Sequence, residues 1–162
     1  MRRFAAACES VAVAAALLLG ACDSGSGPVD VKLGRDVCEM CGMIISDPRF
    51  LTEVRLGDGK IHKFDDVGDA VNWLSSGCRH TLADVKEFWV TDSAHGKTWL
   101  DARKAFYRRA ETPMNYGFGA VATQIPGSVA FEDMRASVAR EKYACKGAPK
   151  SEGDAQPSNT SQ

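Results

Sequence analysis

The apolar run Val11 to Leu19 has nine residues, less than half of the about 20 that a helix needs to cross a bilayer. Net charge is also scarce. The 20 Lys and Arg stand against 21 Asp and Glu, so nothing is basic enough to recruit nucleic acid by bulk attraction. Arg108-Arg109 is an isolated pair and reads as a solvated face. No Ser-His-Asp set and no carboxylate pair falls at a spacing from which catalysis can be inferred, which argues against an enzyme. No internal repeat stands out. A single Cys-x-x-Cys occurs, Cys38 to Cys41, so the paired spacing of a zinc knuckle is incomplete. The metallochaperone pattern Met-x-Cys-x-x-Cys is absent too, because Asp36 occupies the place two before Cys38.

What the chain does have begins with an address. Arg2 and Arg3 precede the short apolar run, and Leu19-Gly20-Ala21 supplies small residues for cleavage. Leu19-Gly20-Ala21-Cys22 reads as a bacterial lipobox, which predicts removal of residues 1–21 and acylation of Cys22 as the mature N-terminus. Several acyl chains on one cysteine anchor durably, whereas one holds reversibly. The expected location is the cell envelope, tethered to a membrane and facing the periplasm or exterior. Residues 22–34, with Ser24-Gly25-Ser26-Gly27-Pro28, read as a flexible tether. Residues 145–162, rich in Ser, Gly, Pro, Asn and Gln, read as a disordered tail. Residues 35–144 between them are the length of one small domain.

Within that domain, Phe50 to Leu56 alternates, Gly57-Asp58-Gly59 marks a hairpin, and Lys60 to Phe64 returns as a second strand. Asp65-Asp66 reads as the cap of a helix from Val67 to Leu74 with Ala70, Val71 and Leu74 on one face. Glu87 to Thr91 and Lys97 to Leu100 read as strands, and Asp101 as the cap of a helical turn through Ala105. Phe106-Tyr107 and Tyr116 to Thr123 read as further strand. A helix is expected from Val129 to Tyr143, where Phe131, Met134, Val138 and Ala139 repeat at helical spacing. Strands followed by a helix, twice over, make an α+β domain of two ββα-type units.

The densest chemistry lies in Cys38-Glu39-Met40-Cys41-Gly42-Met43, two thiols and two thioethers in one short stretch. Both are soft ligands and together they select Cu(I); zinc would use the cysteines and ignore the methionines. A thiolate must lose a proton to bind, whereas a thioether is neutral. One thiolate with thioethers therefore makes a Cu(I) complex of no net charge, tolerable in a low-dielectric pocket. Two rival readings use the same cysteines. A structural zinc site would add Cys78 and His80. A thiol–disulfide oxidoreductase would use Cys38 and Cys41 alone, although Ser46-Asp47-Pro48 breaks the helix such a motif normally opens. With Cys22 acylated, Cys38, Cys41, Cys78 and Cys145 remain in an oxidising compartment, and disulfides among them are the plain structural alternative. His62 in its strand, His95 in its turn, and Trp73, Trp89 and Trp99 read mainly as packing or surface residues, and Met134 as core.

The chain resembles the NosL family, lipoproteins that supply copper to nitrous oxide reductase. The residues carrying the resemblance are the lipobox at Cys22, Cys38 to Met43, Phe64-Asp65-Asp66, Val90-Thr91-Asp92, Asp101 to Ala105 and Thr112-Pro113-Met114. The resemblance implies paired ββα-type units, a Cu(I) site and a copper-receiving partner, nitrous oxide reductase or its maturation complex. It also implies Cys41 and Met43 as ligands, with Met114 approaching from a later loop. Cys38 is then a second ligand or a reversible redox partner of Cys41, and Met40 either joins them or packs inward. One departure is that Asn115, where the family pattern expects glycine, follows Met114, with Gly117 two places on.

Overall fold

The structure, a computed structural model, describes residues 25–75 and 79–139. The hairpin forms where the turn residues placed it: β1 (Thr52–Leu56) runs antiparallel to β2 (Ile61–Phe64), with Val54 opposite His62. Asp66 then caps α1 (Val67–Trp73), its side chain accepting from the Gly68 N–H at 2.9 Å. This first ββα unit follows the sequence pattern to within a residue or two.

The next two strands extend the first sheet. β3 (Val85–Thr91) pairs with β1 and β4 (Trp99–Asp101) pairs with β3, so one antiparallel sheet runs β2-β1-β3-β4. Asp101 does initiate a turn as expected, accepting from the N–H groups of Lys104 and Ala105. A second sheet, in the order β6-β5-β7, follows from β5 (Phe106–Arg109), β6 (Phe118–Val121) and β7 (Val129–Ala130). The last helix is shorter than its periodicity suggests. Val129 and Ala130 pair with β5 as strand, and α2 is Phe131–Val138. Phe131, Met134 and Val138 face the core as read, whereas Ala139 is exposed. The domain is α+β as expected, and the second sheet followed by α2 supplies its second strand–helix unit.

The alternation in β1 predicts one buried and one wet face, yet all five of its residues are buried. Val54 and Leu56 enter the core with Phe64, Val71, Phe88 and Val90. On the opposite face, Glu53 and Arg55 are covered by the stretch read as tether. Val29 N–H donates to Glu53 Oε2 at 2.8 Å, Gly27 N–H to Glu87 Oε2 at 3.0 Å, and Arg55 to the Gly27 carbonyl at 2.7 Å. From Gly27 onward this stretch therefore lies across the sheet rather than hanging as coil. Residues 1–24 and 140–162, which include the stretches read as signal and tail and the expected acylation position Cys22, lie outside the described residues, as do Ser76, Gly77 and Cys78. No described helix is long and apolar enough to cross a membrane.

Candidate metal site

The sulfur-rich stretch is the loop of a small hairpin. Val37 and Ile44 form an antiparallel bridge, and the Ile45 N–H reaches the Asp36 carbonyl at 2.9 Å. The loop closes where the Cys38 N–H donates to the Met43 carbonyl at 2.8 Å and the Gly42 N–H to the Cys38 carbonyl at 3.0 Å. Gly42 sits at φ +76°, a conformation that glycine adopts freely and a side chain would strain. The Glu39 N–H donates to the Lys63 carbonyl at 2.9 Å, which pins the loop to β2 and so to the start of α1.

There it meets two carboxylates. Cys38 Sγ donates to Asp69 Oδ2 at 3.0 Å, and Cys41 Sγ lies 3.6 and 3.8 Å from the two Asp65 oxygens. One ligand atom from each of Cys38, Cys41, Asp65 and Asp69 lies within 4.8 Å of all the others, a set able to hold a metal ion. Cys38, Asp65 and Asp69 are buried and Cys41 is half-buried. The cluster therefore reaches solvent through Cys41. Both thiols are free, not bridged.

Burial pushes the Cys41 thiol up to about 11, with the Asp69 carboxylate adding to the effect. Burial drives Cys38 further in the same direction, and its hydrogen bond to Asp69 reinforces it. Asp69 itself is pushed above the usual carboxylate range by burial, against the hydrogen bonds it accepts from Cys38, Cys41 and Tyr116. Both thiols are therefore protonated at neutral pH until something displaces the protons. A redox Cys-x-x-Cys works by the opposite arrangement, a thiol pKa lowered to roughly 3.5–7.5. The oxidoreductase reading has no support in this geometry.

A later loop braces the cluster. Asp66 accepts from the Thr112 hydroxyl and, at 3.3 Å, from the Met114 N–H, while Tyr116 donates its hydroxyl to Asp69 at 3.0 Å. Asn115 between them adopts φ +60°, the left-handed conformation a glycine would take; asparagine is among the few side chains that tolerate it. Asn115 thus meets the backbone requirement at this point.

Cys38 and Cys41 are brought together as the sequence suggested. Met40 and Met114 are half-buried and pack against the hydrophobic core, whereas Met43 is 51% exposed at the hairpin end. His80 lies with Trp73 and His62 and is not one of the four clustered ligands; Cys78 falls outside the described residues. Sequence reasoning missed Asp65 and Asp69. Reading Asp65-Asp66 as capping accounts for Asp66 alone. No helical spacing links the two, because Asp65 precedes the cap Asp66 and only Asp69 lies within α1.

No family model and no curated protein matches the chain. Among solved structures, it is similar to that of the copper chaperone NosL from Shewanella denitrificans. The match has 19% identity and a TM-score of 0.49, and covers 72% of this chain and 87% of that one. Similarity at that level carries no argument about ligands or cargo.

Proposed function

We propose that this chain is a lipid-anchored, extracytoplasmic Cu(I) metallochaperone, a carrier rather than a catalyst, serving assembly of the copper centre of nitrous oxide reductase. The observation that carries the metal reading is the convergence of Cys38, Cys41, Asp65 and Asp69 within 4.8 Å. The choice of copper rests on the sulfurs, because soft donors favour Cu(I). In this reading Cys41 and Cys38 bind as thiolates, and Met43, Met114 and Met40 are the thioethers available to complete the coordination.

The carboxylates have a separate task. Two thiolates and two carboxylates around one monovalent ion would leave a large uncompensated negative charge in a buried site. Asp69 already accepts the Cys38 proton in a hydrogen bond. As Cu(I) approaches, that carboxylate is positioned to accept the thiol proton and pass it on to solvent. Handing the metal on reverses the exchange. A site that is protonated when empty releases its cargo more readily than a cage of permanent thiolates, which suits delivery over storage.

The test is native mass spectrometry of the reduced chain with Cu(I) and Zn(II) in competition. One Cu(I) per chain is expected, lost on Cys41→Ser and weakened about tenfold on Met43→Leu or Met114→Leu, as is usual when a position near a metal is altered. Zinc held in preference at the cysteines, with both methionine variants unaffected, would overturn the copper reading.

A further inference from the structure

A cleft of about 530 Å³ opens between the segment that leaves the sulfur-rich hairpin, the turn after β3, the end of β5 and the loop that follows it. Asp47, Phe50, Ser93, Arg108, Glu111 and Thr112 are among the residues that line it. Tyr107 is fully buried on the inner face of β5, so Arg108 points to the other face, together with its cross-strand partner Gly119. A Cβ on Gly119 would come within 2.8 Å of Ser93 Cβ and Oγ, so the bare glycine lets Ser93 close against the strand there.

Two polar groups of this cleft are unsatisfied. Ser93 is 4% exposed, and its Oγ is buried with no hydrogen-bond partner among the described residues. A buried hydroxyl left in that state is uncommon in a folded protein and calls for a reason. Arg108, part of the pair read as a solvated face, is half-buried and makes no ion pair among the described residues. The neighbouring cations are already engaged. Arg109 lies over the Phe118 ring at 4.4 Å, and Arg49 is held by Asp47 at 2.7 and 3.0 Å. The Thr112 hydroxyl is taken by Asp66, which fixes that wall of the cleft. What remains is a guanidinium and a hydroxyl, both donors, with no acceptor between them.

We propose that this cleft binds a small organic monocarboxylate, whose oxygens accept from the Arg108 guanidinium and the Ser93 hydroxyl. Charge-assisted bonds of that kind are short and strong, and a guanidinium offers a carboxylate two parallel donors. Asp47 and Glu111 on the walls count against phosphate or another dianion, because a carboxylate repels two negative charges more than one. Phe50, Ala110 and Pro113 supply apolar surface for the body of the ligand, and the volume is that of a small-molecule pocket rather than of a single ion. The loop that forms one wall also carries Met114, but the inference is independent of what the thiols bind.

The probe is benzoate, a carboxylate on a compact apolar ring, titrated into the full chain without metal and followed by amide proton–nitrogen NMR. Saturable shifts are expected at Ser93 and along Arg108 to Thr112. Benzamide, of the same shape without the charge, and inorganic phosphate should each bind about tenfold more weakly or worse. Arg108→Gln should weaken benzoate about tenfold and Ser93→Ala about threefold or more, while Lys86→Gln, at an exposed cation of β3, should change it less than about twofold. The three ligands are compared on the unaltered chain, so the test stands even if a variant does not fold. Unmoved Ser93 and Arg108 amides, benzamide or phosphate binding as tightly as benzoate, or equal losses from the Arg108 and Lys86 variants would overturn the site. No metal enters the titration, so failure here is separate from failure of the copper reading.

Discussion

A buried thiol next to a carboxylate is a poor nucleophile, but it is not a poor ligand, and Cys38 and Cys41 depend on that difference. With Cys41 at about 11 and Cys38 pushed higher by burial, both carry protons at pH 7. Metal must displace them, so apparent Cu(I) affinity should rise with pH. Below the thiol pKa each displaced proton contributes about one decade per pH unit. With both thiolates ligating and both protons reaching solvent, log K from competition with a chelator between pH 6 and 8 should climb with a slope near two. A flat profile would exclude thiolate binding. Asp69 also raises both thiols beyond what burial does. Asp69→Asn removes that charge, so the thiols should alkylate several-fold faster with iodoacetamide at pH 8, where thiolate fraction sets the rate. Unchanged rates would mean that burial alone governs the pair.

At the scale of the element, α1 is positioned from both sides. Asp66 at its cap receives Thr112 and Met114, and Asp69 one turn on receives Tyr116. Tyr116 reaches Asp69 only because residue 68 has no side chain; a Cβ on Gly68 would fall inside the Tyr116 ring. Gly68→Ala must expel that ring and its hydrogen bond, which at about 3 kcal/mol predicts a fall in Tm of roughly 10 °C or more. Weakened metal binding should accompany it, because Asp69 then loses its orienting partner. Of these facts the sequence showed the helix and its cap. The pairing with Tyr116 joins residues far apart in the chain, and no local pattern reports it. The same limit explains α2: Val129 and Ala130 fit the helical period, but Phe106 and Tyr107 of β5 take them as strand partners. Backbone pairing with a remote strand outweighed a local preference of a few tenths of a kcal/mol per residue.

At the scale of the whole molecule, the N-terminal stretch forms part of the fold. Glu87 accepts from Arg55, Gly27 and Trp89 at 3.0–3.1 Å. Burial works to raise this carboxyl, but those hydrogen bonds outweigh it and hold Glu87 below its usual range. A depressed carboxyl stabilises above its unfolded pKa and loses that contribution as pH falls through the folded value. The cover over β1 should therefore hold at neutral pH and loosen only in acid. Arg55→Ala leaves Glu87 without its counter-charge and should destabilise the domain by about 3 kcal/mol, as removal of one member of a buried pair does. Denaturant unfolding of the variant would show this, and an unshifted midpoint would mean that the cover is incidental. Farther out, the proposed acylation of Cys22 predicts that the chain fractionates with the membrane and that Cys22→Ala moves it to the soluble fraction.

The amino-acid sequence by itself determined the local features: the Gly57-Asp58-Gly59 hairpin, the Asp66 cap, the Phe131-Met134-Val138 face of α2 and the sulfur-rich loop. Each depends on residues within a few places of one another, where turn chemistry and side-chain period act directly. Only the tertiary structure decided that Asp65 and Asp69 meet Cys38 and Cys41, that Tyr116 orients Asp69, and that Gly27 and Val29 lie over Glu53 and Arg55. Those pairings join distant segments through burial, and burial is a property of the folded chain.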